Sequence, residues 1–293
     1  MRNLRKGGEE MKKYELTDAT IEYIGHTLHR IRAVRSFGDV KKGELGGFLE
    51  SEINLTHEGN CWVAENARIF GAARVAENAR ISGAAQVNQN AQVFGFARIS
   101  GDTQIFGEAR IFGFAQVFGF AQVFGKAQVF GKARIFGFAQ VSGDTQIFGK
   151  AEVSGDAVVC GDAVVAGTND YIVFKNWWSS GRHFTWTRSN NMWKVGCFYG
   201  KGEELIAKAY EDSEKSCREY ERVVKYVESI LTEEPGPIHY NRCAICHRPI
   251  PFKGKSRIEL SDTRGNTERV EGLCQECYLK FYNAIKGQGR GLV

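Results

Sequence analysis

The chain has 293 residues, 25% of them charged, and a formal net charge of +5. That length suits roughly two domains, and no apolar run approaches the ~18 residues that a membrane span requires. The basic excess sits from Pro235 onward, ten Lys/Arg against five Asp/Glu, which falls short of a decisive nucleic-acid footprint.

The opening stretch, MRNLRKGGEEMKKYEL, has basic residues but no apolar segment behind them, so no secretory signal is expected; Met11 offers a second start. A reducing cytoplasm is then the expected compartment, where the eight cysteines serve as free thiols or metal ligands rather than disulfides. Residues 29–34 alternate as a strand, and Gly46-Gly47 reads as a turn before Phe48. Residues 1–54 are therefore expected to form strands and a cap, because a terminal repeat must cover its strand edges and apolar core.

From Cys61 the chain reads in sixes, CWVAEN, ARIFGA, ARVAEN and so on to AVVCGD and AVVAGT. Eighteen such hexads run without a slip, and LTHEGN (residues 55–60) reads as a leading one. Position one is Ala or Thr after the first hexad, position three is always Val or Ile, and position five is mostly Gly. Side chains alternate along a strand, so positions one and three share an inner face and the Arg or Gln at position two faces out. Gly at position five lets the backbone turn a corner. The spacing predicts a parallel β-helix over residues 55–168, and a regular aliphatic position argues against a disordered Gly-rich tract.

Position four is Phe at nine hexads and position six adds Phe96, Phe114, Phe120 and Phe138, so thirteen of the twenty phenylalanines fall where polar groups are expected. Residues eighteen apart stack if three hexads make a coil, which aligns Phe94, Phe112, Phe130 and Phe148, then Phe118 with Phe136, and Phe120 with Phe138. Even half-hidden, these rings leave about 1,000 Å² of apolar surface, above what monomers usually tolerate. Three readings compete: ladders covered by themselves and the flanking segments, a self-association surface, or a dedicated partner surface. Self-association is the expected outcome.

This pattern resembles the hexapeptide-repeat superfamily, whose members coil as left-handed parallel β-helices with three hexads per turn and are commonly trimers. On that resemblance eighteen hexads make six coils. The resemblance also raises acyl transfer from acyl-CoA, with a His as general base and often a loop projecting from the coils. No His lies in the hexads and no loop interrupts them. His57 is the one candidate base nearby, with a capping role as the blander reading. The three His ligands of the superfamily's carbonic anhydrases are absent from the hexads. The entry GELGGFLESEINL is similar to that of a group of phage- and prophage-borne β-helix proteins, with the resemblance extending over residues 14–168.

After Thr168 the stretches TNDYIVFKNWW, HFTWTR and MWKVGCFYG, with a turn at Ser189-Asn190-Asn191, predict a small antiparallel sheet. Cys197-Phe198-Tyr199-Gly200 matches a strand end that the same phage group carries. Trp177, Trp178, Trp186 and Trp193 are expected in this module's core; a stacking site, with Arg182, His183 and Arg188 as phosphate contacts, is the sharper reading. Residues up to 234 then have helical spacing through Val223, Val224, Val227, Ile230 and Leu231.

All four prolines fall at or after 235, so residues 235–241 read as a linker. Beyond it stand Cys243-x2-Cys246 and Cys274-x2-Cys277, separated by two stretches that flank Thr263-Arg264-Gly265-Asn266 as a hairpin. Paired thiolates at this spacing suit tetrahedral, structural zinc, with a redox dithiol as the alternative. The order of knuckle, hairpin and knuckle plus helix resembles treble-clef zinc fingers. A unit of residues 242–293 has too little core to do without such a staple. Lys253, Lys255, Arg257, Arg264 and Arg269 are candidate phosphate contacts on the hairpin; protein binding and a solvated charged face are the other readings. The expected function is a non-catalytic oligomeric β-helix scaffold, a trimer by preference, that presents zinc fingers to a protein, nucleic-acid or nucleotide partner. An acyltransferase and a nucleic-acid-binding regulator are the alternatives.

Overall fold

The computed structural model describes residues 12–176, 181–232, 256–261 and 267–273. The chain divides into two compact units, residues 1–224 and 225–293. The first opens with strands β1 (Tyr14–Tyr23), β2 (His26–Ala33) and β3 (Leu45–Leu49). Eighteen two-residue strands follow, one every six residues, from β4 (Trp62–Val63) to β21 (Val164–Val165).

These strands build a parallel solenoid of about seven turns with three faces. The first face carries Phe48, Arg68, Gln86 and each eighteenth residue onward; the second carries the series from Arg74, the third the series from Trp62. Beyond the first turn the register is eighteen, as in Arg80↔Arg98 and Gln116↔Arg134. The inner series obeys the alternation: position-one alanines and position-three Val/Ile side chains are 0–1% exposed. Each buried Val or Ile contributes roughly 1.5–3 kcal/mol of transfer free energy, and the repeat places one in every hexad.

The turn count exceeds six because the entry segment supplies a coil of its own. Phe48 pairs with Arg68 and Leu55 with Val75, both twenty residues apart, whereas Trp62 pairs with Arg80 at eighteen. Two extra residues therefore lie between Leu55 and Val63, and the leading hexad is framed differently from LTHEGN: Leu55 holds a position-three place. Gly46 and Gly47 are not a turn either but sit inside β3. A Cβ on Gly46 would lie 2.5 Å from Ile31 Cγ1 and 2.6 Å from Trp62 Cζ2; on Gly47 it would lie 2.5 Å from the Ala67 carbonyl oxygen. These glycines let the hairpin and first coil approach closely.

Where position five lacks glycine, Glu65, Glu77 and Gln89 adopt φ of 56°, 59° and 58°. Their side-chain oxygens accept the N–H of Gly83, Gly95 and Gly107, one coil on, at 2.7–3.0 Å. That bond offsets part of the strain of a left-handed non-glycine residue.

The ends follow from chain direction. In the coils an N–H donates to the carbonyl seventeen residues ahead, as in Gln116 to Ala133 at 2.9 Å. The first coil is left with unanswered carbonyls, the last with unanswered N–H groups, and each unmet buried group costs roughly 1–3 kcal/mol. At the first end the fully buried Lys13 donates from Nζ to the Glu58 and Gly59 carbonyls (3.2 and 3.3 Å) and to Cys61 Sγ (3.1 Å). Burial lowers the pKa of Lys13 from its ordinary value, with Cys61 acting in the opposite direction. Tyr14 Oη donates to the Leu55 carbonyl at 2.7 Å. At the far end Thr185 Oγ1 accepts the Val158 N–H at 2.9 Å and Ser189 Oγ the Val164 N–H at 2.7 Å. Asp170 Oδ2 accepts from both Ala166 and Gly167.

Thr185 belongs to, and Asp170 and Ser189 flank, strands of a four-stranded antiparallel sheet of β22 (Tyr171–Lys175), β23 (His183–Thr187), β24 (Met192–Val195) and β25 (Phe198–Gly200), as the sequence leads one to expect. Trp186 and Trp193 face each other in register and are 2% exposed; Trp177 and Trp178 lie outside the described residues. The helical stretch is two helices, α1 (Gly202–Asp212) and α2 (Glu214–Thr232). The break is Ser213, which is extended (φ −173°) and whose Oγ accepts the Ser216 N–H. On α2, Cys217, Tyr220, Val224 and Val227 are buried, as the spacing leads one to expect for the two valines, while Ile230 and Leu231 are exposed. In the second unit, β26 (Ser256–Ser261) and β27 (Thr267–Leu273) pair antiparallel, in agreement with the expected hairpin.

Candidate interaction surface

The phenylalanines occupy all three edges of the solenoid. Phe106 and Phe124 stack on the edge between first and second faces, with centroids 4.8 Å apart. Between second and third faces run Phe94, Phe112, Phe130 and Phe148 at 4.9–5.1 Å, and Phe96 over Phe114 at 5.1 Å. Between third and first faces stand Phe118 over Phe136 and Phe120 over Phe138, at 5.0 and 5.1 Å. The stacking distance is close to the inter-strand spacing, so backbone register alone brings the rings together.

The two hexad positions differ in exposure. Position-four rings from Phe94 onward are half-buried, whereas Phe96, Phe114, Phe120 and Phe138 are 53%, 57%, 52% and 59% exposed. Phe70 is 5% exposed because β1 and β2 lie over it, with Tyr23 and His26 against its ring. Among the described residues, flanking cover thus hides Phe70 and leaves the ladders open. All four exposed rings border the third face, and together they present on the order of 400 Å² of apolar surface. Two arginines thread the ladders: Arg110 lies over Phe94 and Phe112, and Arg134 over Phe118 and Phe136, at 5.4–5.9 Å. Arg134 also pairs with Glu152 at 2.7 Å. The eighteen-residue spacing of the Phe96–Phe114 and Phe106–Phe124 pairs was there to find; the framing of one face was not, because it depends on which edge each ladder occupies.

The other candidates are placed as follows. Arg182 and Arg188 are both exposed but flank opposite ends of β23, about 20 Å apart along the strand, so they do not converge. Arg257 and Arg269 lie on β26 and β27. Lys253, Lys255, Arg264 and the four cysteines Cys243, Cys246, Cys274 and Cys277 lie outside the described residues. Among the described residues there is no cluster of three or more metal-ligating side chains, and no helix long and apolar enough to cross a membrane. His57 fills a structural place: its Nδ1 accepts the Lys13 N–H at 3.3 Å, its ring lies 4.4 Å from that of Tyr14, and its Nε2 is 4.0 Å from Glu52. Cys61, Cys160, Cys197 and Cys217 are free thiols.

No family model matches the chain. It is 36% identical over 74 residues to a protein named as the uncharacterized acetyltransferase YdcK of Escherichia coli (strain K12). That match takes in 25% of this chain and 22% of the relative's length. The parallel solenoid and this relative fit the hexapeptide-repeat β-helix superfamily.

Proposed function

We propose that the protein is a non-catalytic β-solenoid scaffold that self-associates through its third face, as a trimer, and presents C-terminal four-cysteine zinc fingers to a protein, nucleic-acid or nucleotide partner. The observation that carries this reading is the pair of exposed phenylalanine ladders framing one face. Four half-exposed rings border one face from its two edges instead of being scattered singly over the surface. The left-handed coil, the trimer and the phage-borne setting are carried over from the resemblances. Several copies of a finger on one platform would raise avidity without any new kind of contact.

Zinc at Cys243, Cys246, Cys274 and Cys277 is part of the proposal, since four thiolates would close the coordination shell and leave the metal structural. Elemental analysis should return about one zinc per chain; purified protein with no bound metal would remove the finger from this reading. The second reading, an acyl-CoA-dependent acyltransferase, is favoured by the relative named as an acetyltransferase. The two readings separate by calorimetry with acetyl-CoA and light scattering on the same sample. Scaffold behaviour is a mass near three times 32.7 kDa with no acetyl-CoA heat beyond that of its adenosine 3′,5′-diphosphate part alone; saturable heat that this nucleotide does not reproduce would favour the enzyme.

A further inference from the structure

The third face carries more than its rings. Between its two edges, over the first coils, lies a groove of about 940 Å³. One wall is the stacked pair Phe96 and Phe114, and the end wall is the loop that includes Gly38, Asp39 and Glu44. The opposite side is low because position four there is Ala64, Ser82 and Ser100, where the later coils of that edge place Phe118 and Phe136. The groove exists because the repeat drops its aromatic ring for three coils on one edge.

Its floor holds two like charges in direct register, Arg80 and Arg98. Arg80 pairs with Asp39, whose side chain is otherwise 81% exposed. Arg98 is exposed, and among the described residues no carboxylate lies within ion-pair distance of it. Burial and, secondarily, the charge of Arg98 lower the pKa of Arg80 from its ordinary value. Asp39 answers Arg80, which leaves the adjacent Arg98 guanidinium to grip an anion with charge-assisted bonds. Phe96 is stacked on one side only. Its neighbour in the next rung toward the N-terminus is Asn78, which also lines the groove.

We propose that this groove binds a nucleotide, its base against the exposed Phe96 ring and its phosphate held by Arg98, beside the Arg80–Asp39 pair. The exposed part of the Phe96 ring, beyond the shorter Asn78 side chain, takes a planar ring, and the Arg98 guanidinium takes the phosphate. The site lies within one protomer but shares Phe96 and Phe114 with the face proposed above to self-associate, so it is titrated on protein diluted until light scattering shows single chains.

The test is calorimetric titration of the full chain at low salt with AMP, GMP, CMP and UMP in turn, beside adenosine and inorganic phosphate. At least one nucleotide should bind, with adenosine and phosphate each ~10-fold weaker or more. Arg98→Gln should weaken that nucleotide ~10-fold or more without changing the unfolding temperature. Ser100→Phe extends the Phe118 ladder by a rung, so it should fold as the parent does while filling the groove and abolishing binding. The proposal is overturned if no nucleotide gives heat up to about 5 mM. It is equally overturned if phosphate binds as tightly as any nucleotide, or if both variants bind like the parent.

Discussion

The two ends of the solenoid solve opposite problems. Parallel coils point every ladder N–H toward the C-terminal end, so the first coil lacks donors and the last lacks acceptors. The N-terminal end is met by an ammonium and a phenol, Lys13 and Tyr14, and the C-terminal end by the oxygens of Thr185, Ser189 and Asp170. Cap chemistry is thus dictated by chain direction, and the two caps are not interchangeable. The middle of the solenoid needs neither, because each coil completes its neighbour.

The N-terminal end, where packing as well as bonding is tight, should respond most strongly to substitution. Gly47→Ala would place a methyl 2.5 Å from a backbone carbonyl that cannot retreat, and should cost about 3 kcal/mol in denaturant unfolding. A loss under about 0.5 kcal/mol would show that the hairpin does not seat closely on the first coil. Lys13→Met comes next. It strips two carbonyls of their donor but relieves a buried charge, so about 2 kcal/mol is expected. Thr185→Val, nearly isosteric, leaves only the Val158 N–H unmet and should cost about 1–2 kcal/mol. If Thr185→Val proved neutral while Lys13→Met unfolded the chain, the symmetry between the ends would be broken.

The smallest effect is a pH dependence at the hairpin. The hydrogen bond with His26, and then the Gly71 N–H, hold the Glu50 carboxyl below its ordinary value. A depressed folded pKa adds stability above the ordinary glutamate value and loses it as pH falls through the depressed one. The pair is about one-third exposed, so screening should keep Glu50→Gln under about 1 kcal/mol at neutral pH. The difference between parent and variant should vanish in acid; a gap that persists there would contradict this assignment.

The hexad spacing made the coils, the inward aliphatic series and the phenylalanine ladders legible, because each is a local periodicity that backbone register converts directly into contact. The misreadings are non-local. Gly46-Gly47 resembles a turn until Ile31, Trp62 and the Ala67 carbonyl are seen against it. The frame shift at Leu55 hides in two extra residues, and Ser213 breaks a helix that composition alone would continue. Phe70 belongs to the outward series by position and is buried only because the hairpin folds back over it. Of the candidate surface, the rings were readable and their concentration around one face was not.

Whether this face binds copies of itself is decided by sedimentation equilibrium of the parent beside a variant with Phe96, Phe114, Phe120 and Phe138 all changed to Ser. The parent should sediment as a trimer and the variant as a single chain of about 32.7 kDa, with unchanged circular dichroism. A parent that stays monomeric at tens of micromolar, or a variant that assembles equally well, would contradict self-association through this face.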